Sequence, residues 1–592
     1  MHGSSGAGHA IGYPSGVRRP TSLTARAAAC AALGVFLSLG AGCSIHVRTQ
    51  TAAERVSADP GPSVCVLFFD GLSGEAFERL GDAGALPNIK ARIVDRGLSV
   101  KTAVTSVPSE TYPNLASLET GLLPGHHGIP ANIWLDRRLR VREAHTNILG
   151  VFSSTDYLVP EARTLFERLP GDTVAVTAPI ARGASVHARN RIALVASYAR
   201  NEWSFLDRKT LDDVGDAYAG AAAAGRVPPL VWAHFVGTDE VAHVSGLESQ
   251  EFQGTMSEID DAFGRLLRRL RRRHLDERIL FVLVGDHGNR SYATTVDANE
   301  LVNRALRANP TEADCSAGDC VLVPASRKDK AYDVGDAMIA VGAYRGVMIW
   351  LPSTRPPEDV PSAFRAPRRK RKPRAPSGAP LQVHGSSRFA ATLARAPEVR
   401  LVATRGPSSG TVALYGPSGR AEIVREDRDG LDSLYLYRVL EGDDPLGYSH
   451  SAAATLVGSA HEPDEWLEAT AETEFPDLVV QLPEFFDSPR SPDVFISPKD
   501  GYGFTKGYVA GHGSLSRSET VVPFLFAGPG VTPGSLHAAR TVDLAPTLLS
   551  YLGVAYDPDD LDGEDLEIAP GGVPKPPAFP AGPAAGGPPE GD

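Results

Sequence analysis

Three largely apolar runs in this chain each end in an aspartate, and they constrain its fold more than any other feature. They are Val64 to Asp70, Pro229 to Asp239 and Ile279 to Asp286. An apolar run of this length is typical of a strand that is buried on both faces, as in a parallel sheet. Because open α/β sheets place their chemistry at the carboxyl ends of such strands, the sequence predicts a site where the three aspartates meet.

The order of the remaining patterns favours the same fold class. Strand-like segments at Thr173 to Ala178 and Ala193 to Tyr198 alternate with helical patterns such as Glu161 to Leu169. Such alternation predicts βαβ units. After about residue 320, shorter segments rich in β-branched and aromatic residues predict an inserted antiparallel subdomain. We therefore expect an α/β core with a mainly parallel sheet, interrupted by a β-rich insertion.

Composition divides the chain into successive segments. We predict an export signal, a tether, the first part of the core, the insertion, the second part of the core and a disordered tail, at 1–43, 44–61, 62–310, 311–490, 491–568 and 569–592. Inside the insertion, residues 356–380 are dense in proline, arginine and lysine, a composition that rarely packs. This segment is predicted to be a disordered loop, and contact with an anionic lipid or polymer is the alternative.

The N-terminal segment has the pattern of an export signal. Arginines precede an apolar run from Ala27 to Gly42 that is too short for a comfortable membrane span. The segment Leu39-Gly-Ala-Gly-Cys43 resembles the lipobox of bacterial lipoproteins, in which the cysteine is lipidated. We expect a periplasmic or cell-surface protein anchored in the membrane through Cys43. A cleaved signal peptide and a short retained anchor are the alternatives.

Net charge bears on the partners of the protein, and the positions of the cysteines bear on their roles. The chain has 71 acidic and 59 basic residues, a net charge of −12, which favours solubility and gives no indication of a nucleic-acid duplex as partner. Cys65 lies inside the first apolar run, where a small side chain packs well. Cys315 and Cys320 are close enough in sequence for a disulfide in an oxidising compartment, and metal binding by this pair is less favoured because no histidine is nearby.

Histidines accompany the aspartates at the predicted sheet edge. Asp239 and His243 are four residues apart, so a helix after the strand would place both on one face. Asp286 and His287 are adjacent, and His512 lies between two glycines, where the backbone can approach a ligand closely. Each of these residues taken singly is as well explained by a structural role. Together they form a mixed Asp/His set that suits Zn²⁺ or a similar transition ion better than Mg²⁺ alone.

A threonine hydroxyl lies beside a predicted anion site. Thr111 lies in a turn bracketed by Pro108 and Pro113, and a helix is predicted to begin at Asn114 or Leu115. The free N–H groups at the start of that helix would favour an anion such as phosphate next to Thr111. One metal could then activate the hydroxyl, while a second, about 4 Å away, could hold a leaving oxygen.

Two motifs carry a family resemblance. Pro108-Ser-Glu-Thr111-Tyr-Pro-Asn114 matches a Pro-Ser-x-Thr-Phe-Pro-Asn segment, and Thr120-Gly-Leu-Leu-Pro-Gly-His-His127-Gly-Ile resembles Thr-Gly-x-x-Pro-x-x-His-Gly-Ile. With these motifs the chain resembles the type I phosphodiesterase / nucleotide pyrophosphatase family of the alkaline phosphatase superfamily, over most of residues 62–310 and 493–552. The resemblance implies an alkaline phosphatase-like α/β fold with helices on both faces of the sheet.

The resemblance also implies roles for individual residues. Thr111 would be the nucleophile that forms a phospho-threonine intermediate, and Asn114 would donate to a phosphoryl oxygen. Two Zn²⁺ ions, or another divalent transition metal, are implied, one held by Asp70, Thr111, Asp286 and His287 and the other by Asp239, His243 and His512. The implied substrate is a small phosphate ester or nucleotide, cleaved at a phosphodiester or pyrophosphate bond.

Other readings of the same residues stay open. A phosphate monoesterase or phosphonate hydrolase of the same superfamily is one alternative, and a surface lipoprotein whose insertion binds a partner is another. The sequence departs from the family pattern at Leu115, where a histidine is frequent, at Ala242, where a glycine usually precedes the histidine, and at Asn289, where methionine is common. These departures remove no ligand. The long insertion before His512 leaves the shape of the substrate pocket open.

Overall fold

A computed structural model describes most of the chain, apart from its ends and several internal segments. The described residues are 47–48, 61–136, 141–144, 152, 157–308, 338–342, 344–350, 386–428 and 432–573. The predicted export signal with Cys43, the pair Cys315 and Cys320, the basic loop at 356–380 and the tail from residue 574 lie outside these residues.

Strands and helices alternate through the first half of the chain, and short strands dominate the middle. The strands are β1 Val47–Arg48, β2 Ser63–Phe69, β3 Leu98–Val104, β4 Ile133–Asp136, β5 Val141–Ala144, β6 Val174–Val176, β7 Val186–Ala188, β8 Leu230–Phe235, β9 Ile279–Gly285, β10 Arg290–Thr295, β11 Met338–Gly342, β12 Gly346–Trp350, β13 Val399–Arg405, β14 Thr411–Tyr415, β15 Gly419–Glu426, β16 Leu434–Gly442, β17 Ala460–His461, β18 Val494–Pro498, β19 Gly501–Gly503, β20 Ala510–Gly511, β21 Val521–Val522, β22 Phe524–Ala527 and β23 Gly534–Arg540. The helices are α1 Gly74–Asp82, α2 Pro87–Ile89, α3 Thr111–Thr120, α4 Pro124–His127, α5 Leu165–Arg168, α6 Arg191–Arg200, α7 Ser204–Ala223, α8 Gly237–Ser245, α9 Gln250–Arg271, α10 Ala298–Ala308, α11 Ser386–Ala394, α12 Pro463–Thr470, α13 Leu478–Asp487, α14 Arg517–Thr520 and α15 Leu544–Tyr551.

The three apolar runs form neighbouring strands at the centre of one large sheet. In the part of the chain that the structure describes, this sheet has ten strands in the order β1-β7-β6-β8-β2-β9-β22-β3-β21, with β23 beside β3. Strand β2 lies parallel to β8 on one side and to β9 on the other. All three strands are buried along their whole length, so the predicted doubly covered parallel sheet is confirmed.

Helices cover both faces of this sheet. The side chains of β2 alternate between two hydrophobic clusters, one on each face. Val66 and Phe68 pack in a cluster that includes residues of α3 and α15. Cys65 and Leu67 pack on the opposite face, in a cluster that includes residues of α1, α7 and α9. An apolar run can be continuous only where both faces are covered, and this explains the sequence pattern. Cys65 is a free, wholly buried thiol, as expected for a packing residue.

A second, antiparallel sheet confirms the predicted β-rich subdomain. Its eight described strands follow the order β11-β12-β18-β13-β14-β15-β16-β17. Strand β18 lies between β12 and β13 and is antiparallel to both. Residues 494–498 were predicted to belong to the second part of the core, so the sheet takes one strand from beyond the predicted end of the insertion. The domain boundaries therefore remain a prediction.

Two local predictions of secondary structure were wrong. Ala193 to Tyr198 lies within helix α6 instead of a strand, because its apolar residues divide between a buried side with Leu194 and an exposed side with Val195. Helix α3 begins at Thr111, earlier than predicted. Pro113 is tolerated there because the first N–H groups of a helix have no partner within the helix.

Two residues near the start of the predicted tether pair with the large sheet. Val47 and Arg48 lie antiparallel to His187 and Val186 of β7. Among the described residues, no helix combines the length and the apolar character needed to cross a bilayer.

A buried ion pair connects the second sheet to the loop that carries His512. The Arg345 Nε donates to Glu519 Oε1 at 2.6 Å, and both side chains are fully buried. The Arg345 Nη1 donates to the carbonyl oxygen of Tyr502, and the Ser514 N–H donates to Glu519 Oε2 at 2.8 Å. Arg345 therefore fixes the start of β12 against the segment that follows His512.

Replacing Arg345 by methionine should destabilise the protein strongly, because it leaves the Glu519 charge buried without its partner. We expect the free energy of unfolding to fall by about 3–5 kcal/mol. Arg307 and Glu300 form an exposed pair at 2.8 Å, and Arg307→Met should cost about 1 kcal/mol or less. Chemical denaturation of both variants measures the difference, and equal small losses would show that the buried pair does not hold the second sheet against the segment that follows His512.

Candidate metal centre and active site

Three strand ends bring the predicted aspartates to one edge of the large sheet. Asp70 follows β2 and Asp286 follows β9, while Asp239 lies in the first turn of α8, just beyond β8. The Gly71 N–H donates to Asp286 Oδ1 at 3.0 Å, and the same oxygen accepts from the His287 N–H at 2.9 Å. These hydrogen bonds fasten the two central strand ends to each other.

Gly71 is required by this close approach. Its φ angle is +71°, and a Cβ atom there would lie 2.5 Å from Asp239 Oδ1 and 2.6 Å from Asn289 Nδ2. Any other residue would therefore have to adopt a left-handed backbone conformation, and its Cβ atom would clash with these side chains. The Asp-Gly pair at the end of β2 is what allows Asp239 to lie against Asp70.

The three predicted histidines share one hydrogen-bonding arrangement. Each ring places its Nδ1 against a backbone carbonyl oxygen, His243 against Ala510 at 2.9 Å, His287 against Gly288 at 3.2 Å and His512 against Ser109 at 2.7 Å. When Nδ1–H donates to such a carbonyl, the lone pair remains on Nε2. All three imidazoles therefore offer Nε2 as the ligand atom.

The three Nε2 atoms lie against the carboxylates. His243 Nε2 is 2.9 Å from Asp239 Oδ2, and His512 Nε2 is 3.6 Å from Asp239 Oδ1. His287 Nε2 is 3.2 Å from Asp286 Oδ2 and 3.4 Å from Asp70 Oδ1. The His287 and His512 rings are stacked, with centroids 3.5 Å apart.

These contacts form two adjoining groups. In each, the ligand atoms lie within 4.8 Å of one another, and the groups are Asp70, Asp286 and His287, and Asp239, His287 and His512. His243 joins the second group through its 2.9 Å contact with Asp239. The division resembles the two predicted ligand sets, with the difference that His287 lies between them instead of in one alone.

Thr111 borders the first group. As the first residue of α3, it follows Glu110, whose backbone is extended. Its hydroxyl donates to Asp70 Oδ1 at 3.3 Å, and its Oγ1 lies 3.2 Å from His287 Nε2. The helix start and the sheet edge therefore place one alcohol beside the acids and imidazoles.

Burial dominates the electrostatics of the site. It raises the pKa of Asp286 well above the usual range of a carboxyl group. It also lowers the pKa of His512 well below the usual range, and the neighbouring His287 lowers it further. Burial is also the largest effect on His287 and would lower its pKa, but the charges of Asp286, Asp239 and Asp70 and the hydrogen bond to Asp70 together outweigh it and raise that pKa to about 10. Three carboxylates in one buried space thus favour positive charge among them.

The donor set fits transition metal ions. Carboxylate oxygens and imidazole Nε2 atoms, three or four to a site, are typical ligands of Zn²⁺. Asp286 Oδ2 is buried and accepts no hydrogen bond within the described residues. A hydrogen bond from Nδ1–H of the imidazole to a backbone carbonyl is common among histidine ligands of metals.

A third group of acidic and histidine side chains is different, because a cation of the chain already neutralises it. His126, Glu484 and Asp487 lie close together. The Arg425 Nη1 is 3.0 Å from Glu484 Oε2 and 2.7 Å from Asp487 Oδ2. An arginine thus supplies the charge that a metal would supply elsewhere.

Two residues that were not predicted from the sequence hold the aspartates in place. His234 Nε2 donates to Asp70 Oδ2 at 3.0 Å from the neighbouring strand β8. The Asn289 Nδ2 donates to Asp239 Oδ1 at 2.9 Å and to the carbonyl of Gly71 at 3.1 Å. The signal for His234 was a polar side chain inside an apolar run, and Asn289 was noted only as a departure from the family motif.

The Asn114 amide donates to backbone carbonyls just ahead of it in the chain. Asn114 is wholly buried, and its Nδ2 donates to the carbonyls of Pro108 at 3.0 Å and Glu110 at 2.9 Å. The earlier start of α3 explains this, because Asn114 becomes the fourth residue of the helix and packs inside it.

A different amide lies beside Thr111. Asn132 Oδ1 accepts from the Tyr112 N–H at 3.0 Å, and the Asn132 N–H donates to Glu110 Oε2 at 2.5 Å. Its Nδ2 has no acceptor within the described residues, so this amide keeps a donor for a ligand. Asn132 follows the second family motif by a few residues and carried no spacing signal of its own.

Comparison with known proteins identifies the family. Residues 64–407, more than half of the chain, match the model of the type I phosphodiesterase / nucleotide pyrophosphatase family. The chain belongs to this family. The family is metal-dependent, and the two groups of acids and histidines are the candidate metal site. The matched region contains all of the predicted ligands except His512.

Curated relatives share part of their length with this chain. An uncharacterised pyrophosphatase/phosphodiesterase of Schizosaccharomyces pombe is 23% identical over 226 residues, which cover 38% of this chain and 44% of the relative. Ectonucleotide pyrophosphatase/phosphodiesterase 1 of Saccharomyces cerevisiae is 25% identical over 224 residues, covering 33% of this chain and 29% of the relative. The chain therefore spans less than half the length of these relatives.

Solved structures of family members are also similar. An inactive variant of murine ectonucleotide pyrophosphatase/phosphodiesterase 5 in complex with AMP has a TM-score of 0.49 and 14% identity, and the match covers 84% of this chain and 96% of that one. The human form of the same protein has a TM-score of 0.48 and 13% identity, with 85% and 97% covered.

Replacing Gly71 by alanine should destabilise the site beyond the cost of its backbone angle. Gly84 has a similar φ of +68°, but a Cβ added there would meet no atom within 4 Å, so Gly84→Ala measures that angle alone, at about 1 kcal/mol. Gly71→Ala adds the clash with Asp239, and we expect a total loss of about 2–4 kcal/mol. Denaturation curves of the two variants give the comparison. Equal losses would mean that Asp239 does not press against the end of β2.

Proposed function

We propose that this chain hydrolyses phosphodiester or nucleotide pyrophosphate bonds through a phospho-threonine intermediate on Thr111. The observation that carries the proposal is the position of the Thr111 oxygen, 3.3 Å from Asp70 Oδ1 and 3.2 Å from His287 Nε2 at the edge where all the candidate ligands converge. Membership of the phosphodiesterase / nucleotide pyrophosphatase family supports the same reaction.

Two zinc ions would be held by the two groups of side chains. We assign one to Asp70, Thr111, Asp286 and His287 and the other to Asp239, His243 and His512. Bound zinc supplies positive charge that lowers the pKa of an alcohol and stabilises a leaving oxygen. The position of His287 between the groups supports ions that lie close together.

Thr111 has the position required of a nucleophile. Its oxygen would attack phosphorus, so that a bond forms between Thr111 and phosphorus while the bond from phosphorus to the leaving oxygen breaks. Water would then attack the phospho-threonine, release the phosphoryl product and restore the hydroxyl. His234 and Asn289 keep Asp70 and Asp239 oriented through both steps by their hydrogen bonds.

The start of helix α3 supplies donors for the phosphoryl oxygens. The Tyr112 N–H is used by Asn132 Oδ1, and Pro113 has no N–H, which leaves the backbone N–H of Thr111. This N–H has no acceptor within the described residues. Together with the Asn132 Nδ2, it can meet the negative charge that develops on the phosphoryl group. Asn132 thus takes the role that the sequence analysis gave to Asn114.

The chain is further proposed to act outside the cytoplasm on a small phosphate ester or nucleotide. Its N-terminal pattern supports export with a lipid anchor on Cys43, and the relative in Saccharomyces cerevisiae has the name of an ectonucleotide enzyme. We propose the division into a two-part core, residues 62–310 and 491–568, and an insertion, residues 311–490, because the second sheet is built mainly from that insertion.

Replacing Thr111 by alanine should abolish phosphodiester hydrolysis. We expect zinc-loaded protein to cleave a thymidine 5′-phosphate aryl diester, and Thr111→Ala to lose about 1,000-fold or more in kcat, because the nucleophile is missing. Thr111→Ser keeps a hydroxyl and should retain measurable activity. Chelation should abolish the wild-type rate, and added zinc should restore it. Zinc-loaded wild-type protein that cleaves neither the diester nor an aryl monoester, with Thr111→Ala behaving identically, would favour a binding module. Faster cleavage of the aryl monoester would favour a monoesterase.

Substitution of Asn132 should lower activity, whereas substitution of Asn114 should lower stability. Asn132→Ala removes a donor to the phosphoryl group, and kcat/KM should fall about 100-fold or more. Asn114→Ala removes two buried hydrogen bonds from Nδ2 to the carbonyls of Pro108 and Glu110, and the free energy of unfolding should fall by about 1–3 kcal/mol. Steady-state kinetics and chemical denaturation on both variants check the assignment. An Asn114→Ala protein that folds normally and loses as much kcat/KM as Asn132→Ala would reverse it.

A further inference from the structure

Two tyrosines outside the predicted ligand set are stacked beside the second group of ligands. The rings of Tyr344 and Tyr508 are nearly parallel, with centroids 4.4 Å apart. Tyr344 meets the His243 ring edge-on at 4.5 Å, and Tyr508 meets it at 6.0 Å. Both residues are half-buried, next to a candidate metal ligand.

The backbone at Tyr344 is strained. Its φ angle is +80°, a left-handed value that favours glycine and that a large aromatic residue rarely adopts. The surrounding structure enforces it, because Tyr344 forms a β-bridge with His512 and its carbonyl accepts from the Phe504 N–H at 2.8 Å. The neighbouring Arg345 is fixed by Glu519. Strain that is held in place beside an active site is typical of a residue kept for function.

The second group of ligands lies on the side from which the leaving group departs, if the proposed function holds. Thr111 borders Asp70, in the first group. In phosphoryl transfer the attacking and leaving oxygens lie roughly in line on opposite sides of phosphorus. The leaving oxygen would therefore depart toward Asp239, His243 and His512, and whatever it carries would pass next to the Tyr344 and Tyr508 rings.

We infer that Tyr344 and Tyr508 form a binding platform for an aromatic ring on the leaving group, and that they give this enzyme a preference for such substrates. Aromatic rings stack on tyrosine with a useful gain in affinity, and nucleobases do so whatever their identity. The inference rests on the proposed function and adds a specificity that neither the ligands nor Thr111 supply.

Three diphosphates that share a transferred thymidine 5′-phosphoryl group provide the test. Their leaving groups are methyl phosphate, phenyl phosphate and adenosine 5′-monophosphate, which have similar acidity and differ in whether and where they carry a ring. Tyr344→Gly removes the ring and also relieves the left-handed backbone, so it should not cost stability through strain. We expect the ratio of kcat/KM for ring-bearing over methyl leaving groups to fall about tenfold in Tyr344→Gly and in Tyr508→Ala, the loss expected for one stacking contact.

Two control variants distinguish loss of the aromatic platform from a general loss of activity or stability. Tyr344→Phe keeps the ring and should keep the ratio. Tyr198→Ala removes a half-buried tyrosine from helix α6 and should also keep it. A fall for only one of the two ring-bearing substrates identifies which aromatic the platform receives. An unchanged ratio in both Tyr344→Gly and Tyr508→Ala overturns the inference while leaving the proposed function intact. A wild-type protein that releases thymidine 5′-monophosphate from none of the three overturns the proposed function and the platform with it.

Discussion

Repulsion among three carboxylates, two of them buried and the third half-buried, is the constraint on which this structure depends. Asp70, Asp239 and Asp286 meet at the carboxyl edge of a sheet whose central strands are buried on both faces. Charged groups in such a place are costly unless opposite charge lies among them. Three imidazoles with Nε2 facing the acids provide ligands for metal ions that would supply this charge. The fold therefore holds the three acids together at a site suited to binding metal ions.

The rest of the molecule keeps this arrangement rigid. His234 and Asn289 orient the acids, and Gly71 allows them to approach. The second sheet contributes as well, because the buried pair of Arg345 and Glu519 fixes the segments that carry Tyr344 and His512. A β-rich insertion that at first sight only separates His287 from His512 thus reaches the edge of the active site.

The sequence predicted the parts of the site that local patterns encode. Apolar runs that end in acids predict buried parallel strands, and the four-residue spacing of Asp239 and His243 predicts one face of a helix. The motif around Thr111 was specific enough to indicate the family that the match over residues 64–407 then established. These signals work because each depends on neighbours in the sequence.

Features that depend on tertiary geometry were not predictable in the same way. The proposal of Asn132 in place of Asn114 depends on the residue at which α3 begins, and that boundary was predicted three or four residues too late. His234 lies beside Asp70 because of the register of β8 against β2. Tyr344 lies beside His512 because of a turn between strands that are far from the motifs in sequence. Strand β18 joins the second sheet although the sequence around it favoured the core.

The most direct test of the account is a crystal structure of zinc-loaded protein with anomalous scattering recorded at the zinc edge. We expect two peaks at the sheet edge, one bound by Asp70, Asp286 and His287 and the other by Asp239, His243 and His512. No peak there, a single peak, or zinc bound instead at His126, Glu484 and Asp487 would contradict it.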